Sequence, residues 1–327
     1  MNRRTLLQIT AVAALTGASC GAFAQGDFPT RPITLVVPFS PGGTVDIVAR
    51  TVSEKLGQQL GQPIIIDNRA GAATIIAADY VQKAAPDGYT LLIGTSTTFV
   101  VNPIIYPKIP YDSTKSFEPI GVIGSSGLAL LANSNVKANT VQELISEIRA
   151  KPDSFAYGSH GNGSTVHFAA EMLWSAAKLH GVVHIPYKGS APAITDLLGG
   201  QIPLAFDAIP AASSAAKGNR IKILAVTGEK RSPLLPSVPT IAESGYPGFK
   251  MTSWFGIVAP KNLPVAVRDR LEKALQAAIA DPALVKRLQD VGFDPQWSAS
   301  SKYSEMVKAD TAILAPIAKA SNITATN

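Results

Sequence analysis

Short apolar runs alternate with stretches whose apolar positions recur at helical spacing. Residues 33–37, 64–66 and 89–94 read as strands, separated by one helix from Thr44 to about Leu60 and a second from about Ala72 to Ala84. In the first helix Val45, Val48, Val52, Leu56 and Leu60 recur every three or four places and so mark a single buried face. Strands that are apolar along their whole length and separated by helices imply a parallel sheet covered on both sides.

The pattern then shifts. Residues 120–123 and 128–132 flank the small segment Gly124-Ser125-Ser126-Gly127, which reads as a crossing from one lobe to another. A second α/β series follows: helix 140–150, strand 155–157, helix 165–179, strand 182–186, helix 192–198, and strands 202–206 and 221–226. Residues 231–248, rich in Pro, Ser and Gly, form the return connection with one short helix near 240–244. A strand at 254–259 and three helices complete the first lobe, with Pro264 and Pro282 in first turns and Asp281 as an N-cap. About 300 residues exceed one ordinary core, so the expected organisation is lobe 1 from 25–124 and 232–327, with lobe 2, 125–231, inserted in it.

The first residues change the picture. Arg3-Arg4, an apolar stretch from Leu6 to about Leu15 and Ala22-Phe23-Ala24 make the three parts of a cleavable export signal over 1–24. The paired arginines also allow a twin-arginine signal. Cys20, the only cysteine, lies inside that segment, with Gly17 where a lipoprotein signal carries Leu. The mature chain then has no thiol, which excludes disulfides, cysteine nucleophiles and thiolate metal sites. Loss of Arg3 and Arg4 lowers the formal charge from +6 to +4. Lysines and arginines are scattered rather than clustered, so nucleic acid is not an expected partner, whereas a mild positive field favours small anions. No later stretch reaches 18 uninterrupted apolar residues.

In a parallel α/β sheet, ligands sit beyond the carboxyl ends of strands, where loops enter helices. Three loops qualify. Pro38-Phe39-Ser40-Pro41-Gly42-Gly43-Thr44-Val45-Asp46 joins a strand to a helix, and its two glycines let a ligand approach the unpaired N–H groups of the helix start. It also reads as an ordinary turn with Thr44 as N-cap. Tyr157-Gly158-Ser159-His160-Gly161-Asn162-Gly163-Ser164-Thr165 has three glycines and three hydroxyls. Its G-x-x-G-x-G spacing is not a dinucleotide fingerprint and no P-loop lysine follows, so no nucleotide cofactor is expected. Gly94-Thr95-Ser96-Thr97-Thr98 offers hydroxyls at a strand end.

Catalytic signatures are missing. No serine of these loops sits in G-x-S-x-G. The four histidines, His160, His167, His180 and His184, show no metal-ligand spacing, and no metal is expected. His167 and His180 read as packed or solvated helix residues, while His160 stands inside a glycine loop. Asp46 and Asp207 form a carboxylate pair on paper only; Asp46 reads as stabilising its helix start and Asp207 as satisfying loop donors.

Several motifs carry a resemblance: Arg31-Pro32-Ile33-Thr34-Leu35-Val36-Val37-Pro38-Phe39-Ser40-Pro41-Gly42-Gly43, Asp67-Asn68-Arg69, Ala85-Pro86-Asp87-Gly88-Tyr89-Thr90-Leu91-Leu92, His184-Ile185-Pro186-Tyr187-Lys188-Gly189, Asp196-Leu197-Leu198-Gly199-Gly200-Gln201 and Val238-Pro239-Thr240-Ile241-Ala242-Glu243. Over essentially the whole mature chain they resemble the Bug family, the extracytoplasmic solute receptors of tripartite tricarboxylate transporters. The resemblance implies a type II-like, two-lobed α/β periplasmic binding protein with parallel-rich sheets and a ligand cleft between the lobes. It implies a monomer that takes a di- or tricarboxylate, an acidic amino acid or an aromatic acid and serves the transporter's membrane subunits. The ligand set it points to is Phe39, Ser40, Gly42, Gly43, Asp46, Ser96, Thr97, Ser159, His160, Gly163, Ser164, Thr165 and Asp207.

Two departures stand out. Gly71-Ala72-Ala73-Thr74-Ile75-Ile76 replaces a glycine-rich run, with Ile75 and Ile76 expected to pack more tightly, and His160 replaces a smaller residue and is expected to tune the ligand's distal end. Two rivals use the same residues. One is a periplasmic hydrolase built on Asp46, Asp207 or His160, and the other a receptor that reports to a sensor protein instead of a transporter.

Overall fold

The computed structural model describes residues 28–187 and 189–325. The export signal expected over 1–24 and Lys188 of the quoted motif lie outside them. Strand β1 (Ile33–Val37) pairs in parallel with β2 (Ile64–Asn68) and β3 (Thr90–Thr95). Helix α1 (Thr44–Leu60) crosses between β1 and β2 over the predicted span. Its Val48, Val52 and Leu56 pack with Leu35, Leu91 and Ile93 on one side of the sheet. Helix α2 (Ile75–Gln82) puts Ala77, Ala78 and Val81 against Val36 and Leu92 on the other. Alternate residues of each strand thus enter different cores, which is why these strands are apolar throughout.

The crossing segment is continuous. The sequence reads as two strands separated by a small-residue break, but β4 (Phe117–Asn133) is a single strand of 17 residues. Its first half is antiparallel to β9 (Thr252–Pro260) and β10 (Asp294–Ala299), its second to β7 (Leu204–Ala208) and β8 (Ile221–Val226). The small residues permit close approach: a Cβ on Gly124 would lie 2.3 Å from the carbonyl oxygen of Asp294. Beyond β7, strand β5 (Ala156–Ser159) pairs in parallel with β7 and β6 (Val183–Pro186). The sheet is therefore mixed, parallel at both flanks and antiparallel wherever β4 or β9 takes part, in the order β2-β1-β3-β9-β4-β7-β5-β6.

The remaining helices are α3 (Asn102–Ile105), α4 (Val141–Ala150), α5 (Thr165–Ala176), α6 (Ser190–Leu198), α7 (Ile209–Ala216), α8 (Val265–Ile279), α9 (Pro282–Asp290) and α10 (Tyr303–Ala320). Asp281 caps α9 by accepting from the N–H groups of Ala283 and Leu284. Residues 240–244 form a hydrogen-bonded turn in place of a helix, closed by reciprocal bonds between Thr240 and Glu243. One apolar cluster runs through both halves of the sheet, joining Phe99 and Trp254 to Leu130, Phe168 and Phe206 beneath Tyr303 and Leu314 of α10.

A second difference lies before α2. The predicted helix start at Ala72 is a turn in which Ala72, Ala73 and Thr74 have φ of 43°, 48° and 80°. Asn102 Nδ2 donates to the Ala73 carbonyl at 2.6 Å and fixes that path. Ile75 packs on the core, but Ile76 is 51% exposed, so only one of the two isoleucines packs as expected. Left-handed backbone costs an L-residue about 1–2 kcal/mol, more than glycine loses in freedom. Ala73→Gly should therefore stabilise the protein by about 1 kcal/mol. An unchanged or lower urea midpoint would contradict this.

Candidate functional site

The first loop leaves β1 at its carboxyl end and enters α1 with Ser40, Gly42 and Gly43 exposed. Gly43 is the N-cap and no side chain caps the first turn, so Thr44 does not play that part. The first-turn N–H groups of α1, at the positive end of a 17-residue helix, are left without side-chain acceptors. Gly42, at φ +86°, turns the chain so that its N–H donates to Asp46 Oδ2 at 2.9 Å.

Asp46 organises the loop from beneath. Arg50 Nε donates to Oδ2 and Asn68 Nδ2 to Oδ1, both at 2.9 Å, and Asn68 also donates to the Phe39 carbonyl at 3.0 Å. The Arg50 hydrogen bond, with help from the Gly42 N–H and Asn68 and against the cost of burial, holds the carboxyl at about 2. Both oxygens are thus engaged and the charge is countered, which keeps an anionic ligand from facing a bare carboxylate.

The second loop follows β5 and enters α5. Ser159 is buried, and its hydroxyl donates to the Gly161 carbonyl, accepts from the Gly161 N–H and meets His184 Nε2 at 2.6 Å. Ser164 caps α5 by accepting from the His167 N–H, and its hydroxyl donates to the Gly161 carbonyl. Gly163 is buried and donates to His167 Nδ1 at 3.1 Å. The rings of His167 and His184 stack with centroids 3.7 Å apart, and Tyr157 stacks on His184 at 5.0 Å. Burial, and for His167 also the neighbouring His184, pulls these imidazoles down to about 3 and about 4. His167 is therefore a packed residue, as its helical position suggested. His184 went unremarked as a site support, although it opens one of the quoted motifs one register from Gly158.

Asp207 is the penultimate residue of β7, and His160 reaches toward it across the strand ends: Nε2 lies 3.0 Å from Asp207 Oδ1. Ser96 is buried and its hydroxyl donates to Ser253 Oγ at 3.4 Å, while Thr97 opens a π-helical turn (Thr97–Val101) that runs into α3. Eight of the residues gathered from the sequence therefore fall into three groups: Phe39, Gly42 and Asp46, and Ser159, Gly163 and Ser164, each set in a hydrogen-bonded loop, and His160 with Asp207, within ion-pair distance. Among the described residues no hydrogen bond or ion pair joins the first loop to the second. Ser40, Gly42 and Gly43 are exposed; Phe39, Thr97, His160, Ser164 and Thr165 are half-buried; Asp46, Ser96, Ser159, Gly163 and Asp207 are buried. Larger hollows of about 700 and 630 Å³ lie elsewhere, beside α4 and between α1 and β2, and include none of these residues. Asp46 and Asp207 lie in separate hydrogen-bonded groups and share no contact. Among the described residues no group of His, Cys, Asp or Glu could hold a metal ion, and no helix is long and apolar enough to cross a membrane.

Comparison with known proteins gives a consistent result. A family model described as "Tripartite tricarboxylate transporter family receptor" matches residues 48–323. Protein BugT of Bordetella pertussis is 34% identical over 298 residues, covering 90% of each chain. A solved structure of Rpa4515 from R. palustris with adipate has a TM-score of 0.80 at 36% identity, covering 91% of this chain and 99% of that one. The structure of periplasmic binding protein BugD has a TM-score of 0.76 at 34% identity, again covering 91% and 99%. The chain belongs to the tripartite tricarboxylate transporter receptor family, whose members are periplasmic solute receptors and not enzymes.

Proposed function

We propose that this receptor captures a small carboxylate between the loops 38–46 and 157–165 and delivers it to the membrane subunits of a tripartite tricarboxylate transporter. It reaches the periplasm with residues 1–24 removed and acts as a monomer. The observation that carries the reading is the uncapped start of α1 beneath exposed Gly42 and Gly43, where backbone N–H groups and the helix dipole favour a carboxylate. The solved relative from R. palustris is described with adipate, a dicarboxylate. Residues 25–124 with 232–327 act as one lobe and 125–231 as the other, and closure turns about β4 near residues 124–127.

The test is a thermal-shift panel of di- and tricarboxylates, acidic amino acids and aromatic acids on the mature protein. A ligand at 100 times its Kd should stabilise by about 2.7 kcal/mol. Gly43→Ala is the companion variant. At φ −78° an added Cβ meets only the Ser40 carbonyl at 3.8 Å, so the apo protein should melt as the wild type does. The methyl nevertheless projects where a ligand must approach the N–H groups, and affinity should fall about tenfold, roughly one lost hydrogen bond to a charged group. Full affinity in Gly43→Ala would remove the helix start from the site, and no response to any carboxylate would remove the function.

A further inference from the structure

Asp207 is only 1% exposed, and a carboxylate so far from water requires donors. In a receptor for carboxylates such a group has an obvious use, which is to take the ammonium of an amino acid ligand. Here the chain itself supplies the donors. Ser190 Oγ donates to Oδ2 at 2.6 Å, and the Ala208 N–H donates to Oδ1 at 2.7 Å. The remaining capacity of Oδ1 faces His160, whose Nε2 lies 3.0 Å away. That nitrogen is buried and makes no hydrogen bond of good geometry, so the pair sits within ion-pair distance but off the hydrogen-bond line. The imidazole is 25% exposed and Asp207 is not, so His160 is what a ligand meets.

We propose that His160 determines specificity by reserving Asp207 for the protein, so that this receptor selects plain carboxylic acids and rejects zwitterionic amino acids. The inference rests on the carboxylate-receptor reading and narrows its ligand class. An α-ammonium placed near Asp207 would have to displace the imidazole from its 3.0 Å approach to Oδ1 and compete with the Ser190 hydroxyl and the Ala208 N–H for the remaining oxygen capacity. A site with no free partner for a charged group discriminates strongly, on the order of 100-fold or more. A plain di- or tricarboxylate makes no such demand.

The experiment measures Kd by calorimetry for adipate, malate and citrate against aspartate and glutamate, on the mature wild type and three variants. The wild type should bind at least one plain acid on the order of 100-fold more tightly than either amino acid. His160→Ala uncovers Asp207, so the ratio between the classes should narrow at least about tenfold through gained amino-acid affinity. Asp207→Asn added to His160→Ala should abolish that gain. His160→Asn, which keeps a donor toward Asp207, should preserve much of the discrimination and stands in should the alanine variant fold poorly. Equal wild-type affinity for both classes, or an unchanged ratio on removing the imidazole, overturns the proposal and leaves the carboxylate receptor standing. Silence toward both classes overturns both.

Discussion

Gly163→Ala should destabilise the protein by about 3 kcal/mol, the sum of a left-handed backbone penalty of about 1–2 and an overpacking cost of about 1–3. Gly163 holds φ +71°, and a Cβ there would fall 2.2 Å from Ile105 Cδ1. The loop cannot simply slide away. The Gly163 N–H is bonded to His167 Nδ1, and Asn162 Nδ2 donates to the Thr324 carbonyl at 2.6 Å. Ile105 is only 4% exposed, so its Cδ1 has little free space to turn into. The steric part can be isolated. Ile105→Val deletes Cδ1 at a cost of about 1 kcal/mol, and combined with Gly163→Ala it should recover about 1–2 kcal/mol relative to additivity. Additivity within 0.5 kcal/mol in urea unfolding would show that the contact does not carry the penalty.

The same close approach brings the second loop next to the third. Ile105 ends α3, which continues the π-helical turn beginning at Thr97, next to Ser96. The second loop thus packs close to the element that presents the third. π-helical turns recur at functional sites because an extra residue in the turn re-aims its neighbours. The two glycines make opposite controls: Gly43→Ala should impair binding without loss of stability, whereas Gly163→Ala should lose stability first.

The flanking βαβ units were legible because their apolar period is unambiguous; α1 begins and ends where Val45 to Leu60 place it. Helix α7 was missed because its Ala- and Ser-rich sequence buries only Ile209 and Ala212, too few to show a stripe. The continuity of β4 was hidden by Gly124 and Gly127, which ordinarily signal a break but here admit neighbouring strands. The left-handed turn at Ala72–Thr74 was hidden because alanine there favours a helix; its one signal is the glycine-rich run that these residues replace. At the site, composition identified the loops but not the division of labour within them. Ser164 enters the ligand set because hydroxyls near glycines suit both tasks, and Asp46 reads both as a stabiliser of its helix start and as a ligand contact; geometry adds the hydrogen bonds by which each holds its loop in shape. The pairing of His160 with Asp207 spans 47 positions and depends on β5 and β7 being neighbours.

The second large effect is a loss of stability on acidification. His167 and His184 hold about 3 and about 4 in the folded protein, against about 6.5 when unfolded. The unfolded chain therefore binds more protons between these values, and stability drains away as pH falls from about 6.5 toward 4; above 6.5 the full contribution is present. With His184 discounted for its partial exposure, the pair should cost about 3 kcal/mol at pH 5 relative to pH 7.5, a fall in Tm of roughly 5–10 °C. The cause is local: burial disfavours a charged imidazole at either position, and for His167 the neighbouring His184 adds to the cost. His167→Asn with His184→Gln keeps polar atoms near those that meet the Gly163 N–H and the Ser159 hydroxyl but removes the titration. The slope of Tm against pH between 4.5 and 6.5 should flatten in that variant, and an unchanged slope would assign the acid sensitivity to other groups. Ligand affinity should hold over most of this window, because in the folded protein both rings stay neutral until the pH nears 4 and keep the hydrogen bonds to Ser159 and Gly163 that give the second loop its shape.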